Sequence, residues 1–201
     1  MARPKRSEQT RAALISVGIE QISTHGYHGT GIKQILDEVN VPKGSFYNFF
    51  ASKEAFVVEL IQEYNRNLLL DLESFQQGPG VGLSAFEQLE YFYHFGIEKY
   101  GKSEKSCLIG SLSVEIGAQN NACRAALNKA TGHWTSLLSE LFELAQQDGD
   151  VRDDITSQQM AILYWSAWEG ALLRMNVSGD TQQAKHTMDI LLNQLLRINP
   201  S

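Results

Sequence analysis

The stretch that most constrains this chain is residues 30–54, TGIKQILDEVNVPKGSFYNFFASKE. Ile32, Ile35, Leu36 and Val39 recur at three and four residues, so residues 31–39 present one apolar stripe of a short helix. Asn40 follows, a residue that tolerates the left-handed backbone of a sharp turn. Val41 offers an apolar plug for the corner, and Pro42 a fixed φ suited to the first position of a helix. Residues 43–50 are then a second helix of about two turns. Phe46, Phe49 and Phe50 anchor it, leaving Lys43, Gly44, Ser45, Tyr47 and Asn48 outward. Ser52 is placed to cap the next helix, with Lys53 and Glu54 in its first turn. Two short helices crossing at a tight turn form a helix-turn-helix, whose second helix fits a DNA major groove. The outward set here is one cation, one glycine for close approach, one hydroxyl, one phenol and one amide.

The pattern carried by Thr30, Val41, Gly44, Tyr47, Phe50, Lys53 and Glu54 resembles the DNA-binding signature of the TetR (tetracycline repressor-like) family, with Ile35 one place from the usual isoleucine register. Two positions depart from it. Val39-Asn40 stands where Ala-Gly is usual, and Phe49 stands where a phosphate-contacting His is frequent. The motif covers about an eighth of the chain. The resemblance implies a homodimeric repressor that binds a palindromic operator in double-stranded DNA and is released by a small-molecule inducer. It points to Thr30, Lys33, Lys43, Gly44, Ser45, Tyr47, Asn48 and Lys53 as the DNA-contacting set. Lys43 and Ser45 are expected at base edges, and Thr30, Tyr47 and Lys53 at phosphates.

The formal charge of −6 is unexpected for a DNA binder, but its distribution is not. Residues 1–50 carry +2 and the remainder −8, which fits a DNA-facing N-terminal domain on an acidic body. A short basic arm, residues 2–6, can add phosphate contacts. No apolar run approaches the roughly 18 residues of a membrane span, and Glu20 interrupts the segment that would serve a signal peptide. Cys107 and Cys123 make no disulfide framework, so the cytoplasm is the expected compartment. His25 and His28 lack the companions of a metal site, and no metal or cofactor is expected.

Beyond the motif the chain stays helical. Apolar periodicity marks helices at residues 7–26, 52–75, 85–100, 107–116, 120–147, 158–177 and 181–198. The one Gly/Pro cluster, QQGPGVG at residues 76–82, separates the second of these from the third. The predicted fold is all-α, with a three-helix DNA-binding domain (residues 1–51) and a helical sensor and dimerisation domain (residues 52–201). Residues 52–75 are its connecting helix.

The last two helices carry more apolar surface than one body requires. Trp165, Trp168, Leu172, Met188, Leu191, Leu192 and Leu195 are predicted to form the subunit contact, completing a four-helix bundle across a two-fold axis. The aromatic middle of the chain offers Phe92, Phe95, Trp134 and Trp168 as ligand-lining candidates, as pockets are mostly apolar. Cys107 is a further sensor candidate. It opens a helix, where the N-terminal dipole and nearby Lys102 and Lys105 favour a thiolate, although Glu104 opposes them. Its segment SCLIGSLSVEI resembles that of the NemR-like, electrophile-responsive branch of the family. A buried structural thiol is the alternative for Cys107. Two other functions are open to such a chain. One is an all-α enzyme with a Cys107 nucleophile and His94 or His133 as base, although no catalytic motif is present. The other is a ligand-blind DNA-binding protein.

Overall fold

The computed structural model describes residues 6–101 and 105–198, and for Arg6 the backbone only. The basic arm therefore lies outside the described residues, apart from the Arg6 backbone. So do Lys102 and Glu104. The elements in order are α1 (Arg6–Gly29), α2 (Ile32–Glu38), a 3₁₀ reading element (Lys43–Asn48), α3 (Lys53–Gln76), α4 (Ala85–Gly101), α5 (Leu108–Glu115), α6 (Asn121–Gln147), α7 (Ser157–Ser178), α8 (Thr181–Ile190) and a π-helical turn (Leu191–Leu196). Among the described residues, extended pairing is limited to one bridge, Val151 with Arg197.

The helices form two compact units. Among the described residues, the first holds 6–71 and 105–130, the second 72–101 and 131–198. In the first, α1 packs against α2 and α5. Its centre is aromatic: Phe46, Phe50 and Phe56 are all buried, with ring centroids 4.6–5.4 Å apart. Leu14, Ile22, Ile35, Leu36, Val57, Leu60 and Ile61 complete this core. At Gly26 the backbone leaves the helical region (φ 74°, ψ 172°), so α1 kinks there and adds one further turn rather than ending.

In the second unit α4, α7 and α8 pack together. Trp168 packs against Gly96, where a Cβ would collide with its Cζ2 and Cη2 atoms. The Tyr164 hydroxyl donates to the Leu89 carbonyl at 2.8 Å, and Tyr93 donates to Asp189. Burial and the neighbouring Asp189 carboxylate push the Tyr93 phenol far above its ordinary range. Thr156 and Gln159 cap α7 reciprocally, a capping box that satisfies two otherwise orphaned N–H groups.

The predicted subunit-contact stripe lies mostly inside this one chain. Trp165, Trp168, Leu172, Met188, Leu191 and Leu192 are buried within this one chain. Their apolar area is already covered by its own helices. Only Leu195, 56% exposed, remains outward, because the turn that carries it is π rather than α. The large apolar residues exposed on α7 are instead Ile162, Leu163, Leu173 and Val177.

Candidate nucleic-acid interface

The corner of the motif forms as its residues dictate. Asn40 has φ 55° and, among the described residues, is the one non-glycine with positive φ. It ends α2 in a Schellman turn: the Val41 N–H donates to the Leu36 carbonyl at 2.9 Å and the Asn40 N–H to that of Asp37 at 3.2 Å. Pro42 precedes the reading element, and its carbonyl accepts from the Ser45 N–H at 2.8 Å. The element is wound as a 3₁₀ helix, tighter than the expected α turn. Phe46 is its buried anchor. Lys43, Gly44, Tyr47 and Asn48 are exposed and Ser45 is half-buried. The Tyr47 ring, 63% exposed, meets Phe46 edge-on at 5.4 Å. Nothing lies within 4 Å of a Cβ built on Gly44, so backbone there can approach a partner closely. Lys33 is exposed on α2. This is an outward polar rim held on a rigid aromatic base.

Two residues expected at phosphates are turned inward. Thr30 is 1% exposed, and its hydroxyl donates to the Gly26 carbonyl at 2.8 Å. Lys53 donates from Nζ to the carbonyls of Tyr27 and Thr30, each at 2.8 Å, and sits 4.0 Å from the Tyr27 ring centroid. Burial is the main cause that lowers the Lys53 pKa, against the attraction of Glu54 and Glu115. Both side chains bond carbonyls of the α1–α2 loop, residues 26–31, which comprises the short turn beyond the Gly26 kink and the link into α2. Sequence reasoning missed this because those carbonyls reach Lys53 from more than twenty residues upstream.

The five sensor candidates fall in three separate places. Phe92 contacts Trp134, Tyr164 and Trp168, with ring centroids 5.4–6.4 Å apart, and Trp134 stacks on Trp165 at 6.4 Å. The Trp165 Nε1 is buried with no hydrogen bond of normal geometry. Burial raises the Glu169 carboxyl pKa, and the nearby Trp165 indole offsets this only in part. Phe95 does not join that cluster; it stacks with Tyr91 at 6.0 Å, under Lys99. Cys107 belongs to the first compact unit, half-buried at the N-cap position of α5. Ser106, just before this helix, bonds to the Ser23 carbonyl through both its N–H (2.9 Å) and its hydroxyl (3.1 Å). Lys105 pairs with Glu20 at 2.8 Å. Cys123 is fully buried with Sγ 3.8 Å from the Glu54 carbonyl, and burial, then the Glu54 charge, pushes its thiol up.

A helix-turn-helix with a polar rim, joined to an all-helical body, defines a DNA-binding regulator of transcription. The matches to known proteins agree. Residues 14–60 match the N-terminal domain described as bacterial regulatory proteins, tetR family, and residues 89–191 match the tetracyclin repressor-like C-terminal domain. The chain belongs to the TetR family. It is 34% identical to the transcriptional regulator AcuR of Cereibacter sphaeroides over 81% of this chain and 74% of that one. It is 28% identical to the transcriptional repressor DhaR of a Mycobacterium species over 92% of each. The repressor NemR of Escherichia coli is 29% identical over 84% of this chain and 85% of NemR. The crystal structure of reduced NemR superposes with a TM-score of 0.84, covering 96% of this chain and 99% of that one. The protein is a DNA-binding transcriptional repressor of the dimeric, ligand-responsive kind, and its relatives are named as regulators, not enzymes. No helix among the described residues is long and apolar enough to cross a membrane.

Proposed function

We propose that residues 43–48 read the operator, with Lys43 and Ser45 at base edges and Tyr47, Asn48 and the close-lying Gly44 backbone at phosphates and sugars. Lys33 adds a phosphate contact from α2. The observation that carries this reading is the reading element itself: Lys43, Tyr47 and Asn48 are exposed and Ser45 half-exposed, while Phe46 fixes it to a fully buried aromatic core. Residues 1–51 do the reading, and residues 52–201 sense and dimerise, in the cytoplasm, where the operator is. Two copies meet through the outer face of α7, where Ile162, Leu163, Leu173 and Val177 are exposed and Gly170 opens onto free space. Leu195 extends that face. Dimerisation sets two reading elements roughly 34–36 Å apart, one helical turn of a palindrome. The signal enters at Cys107, where an electrophile adding to sulfur places bulk at the start of α5, or as a ligand among Phe92, Trp134 and Trp168.

Selection from a random duplex library tests the reading. The wild-type chain should recover a palindrome. Lys43→Ala should relax its preference at one base pair per half-site, by about 1–3 kcal/mol. Recovery of no common sequence, or an unchanged preference in the variant, would refute it.

A further inference from the structure

We infer that Glu115, at the end of α5 and outside the reading element, is a positioning residue for operator binding: its carboxylate holds the loop between α1 and α2, and through that loop the element that meets DNA. This rests on residues 43–48 being the DNA-contacting segment. The Glu115 Oε2 accepts from the His28 backbone N–H at 3.2 Å. A Cβ built on Gly26 would lie 2.8 Å from Oε1 and 3.1 Å from Oε2. The kink in α1 therefore brings its last turn against the carboxylate, and a side chain at position 26 would push it away. Lys53 approaches the same loop with opposite polarity, donating to the carbonyls of Tyr27 and Thr30 at 2.8 Å each. So α5 supplies a carboxylate acceptor to a loop N–H, and α3 supplies an ammonium donor to the loop carbonyls.

The loop has little freedom left between them. Thr30 leads through Gly31 directly into α2, and Lys53 stands five residues past the end of the reading element. The other end of α5 is tied to the same helix. Ser106 bonds twice to the Ser23 carbonyl and Lys105 pairs with Glu20. The segment from Lys105 to Glu115 thus straps the last turns of α1 from both ends, with Cys107 between the attachments. A displacement of α5 draws on α1 through both attachments, and on the α1–α2 loop through His28. It reaches the reading element by way of α2 and Lys53.

Charge separates this role from a plain electrostatic one. Glu115 is an anion, so deleting it should strengthen binding to any duplex if charge alone counted. If it positions the loop, Glu115→Ala should weaken binding to the duplex selected by the wild-type chain by about tenfold, the scale of one lost bond to a charged group. Binding to random duplex should hold steady or rise, with the salt slope unchanged. Glu115→Gln should recover most of the loss, since its amide oxygen can still accept from the His28 N–H. Hydrogen exchange on the free protein gives a second readout: the His28 amide should exchange faster in the Ala variant than in the Gln variant. Unchanged exchange at His28 in the Ala variant would overturn the proposal. So would a proportional loss on both duplexes that Gln does not rescue. If the wild-type chain selects no duplex, the reading of residues 43–48 fails, while exchange at His28 still decides whether Glu115 holds the loop.

Discussion

Lys53 gives the sharpest test, because sequence and structure assign it different work. A lysine on phosphate releases about one counterion, so its loss lowers the salt slope by about one and weakens every duplex alike. The structure has Nζ on two backbone carbonyls at 2.8 Å and over the Tyr27 ring at 4.0 Å. Hydrogen bonds to a charged donor are each worth about 1.5–3 kcal/mol. Lys53 is only half-buried and the freed carbonyls regain some water, which reduces the sum. Lys53→Met keeps the aliphatic stem against Tyr27 and removes only the ammonium. We expect it to cost about 2 kcal/mol of stability, read as a lower urea midpoint with an unchanged m-value. Specific binding should fall as the loop loosens, while the salt slope stays within a few tenths of wild type. A slope lower by one, with an unshifted urea midpoint, would refute the inward assignment and return Lys53 to phosphate.

Other outcomes follow from the same structure. Leu163→Glu with Leu173→Glu should dissociate the dimer in sedimentation while leaving helicity intact, whereas Leu192→Glu should unfold the second unit, since it buries an unpaired charge at several kcal/mol; intact monomers from Leu192→Glu would return that residue to the subunit contact. Thiol labelling below saturation should mark Cys107 well ahead of the fully buried Cys123, and Cys107→Ser should retain operator binding while losing any electrophile response. Because burial raises the folded pKa of Cys123, its contribution to stability is fully present below the unfolded thiol value and disappears as pH rises through the folded one; Cys123→Ala should flatten that alkaline decline in melting temperature. Gly96→Val should be among the most damaging single changes in the second unit, costing about 1–3 kcal/mol or more through collision with Trp168, measured by thermal melt.

Local chemistry was legible in the sequence wherever one short segment decides the outcome. Asn40 at the turn and the Ser52 hydroxyl on the Ala55 N–H both follow from residues within a few places of each other. The outward set Lys43, Gly44, Tyr47 and Asn48 was legible because Phe46 and Phe50 define the opposite face. The choice between two apolar faces was not. On α7 both Trp165–Trp168–Leu172 and Ile162–Leu163–Leu173 are hydrophobic, so periodicity alone cannot say which stripe turns inward. The inward turn of Thr30 and Lys53 was equally hidden, since it depends on backbone carbonyls of a kinked helix. Glu115 carried no signal at all in a segment read for its cysteine.

The π turn at Leu191–Leu196 has a consequence for chain length. A π turn is geometrically an α turn holding one residue too many. An α-helical continuation of the Met188–Leu191–Leu192 stripe would bury Leu195; here Leu196 takes that place. The surplus residue is retained because the turn is pinned at its far end, where the Arg152 N–H donates to the Leu196 carbonyl at 2.9 Å and the Ile198 N–H to Asp150 at 3.0 Å. The segment 191–198 therefore has one residue of slack. Deleting Leu195 should let an α register close over the same attachments, so a one-residue gap that would be disruptive elsewhere in this helix can be absorbed here.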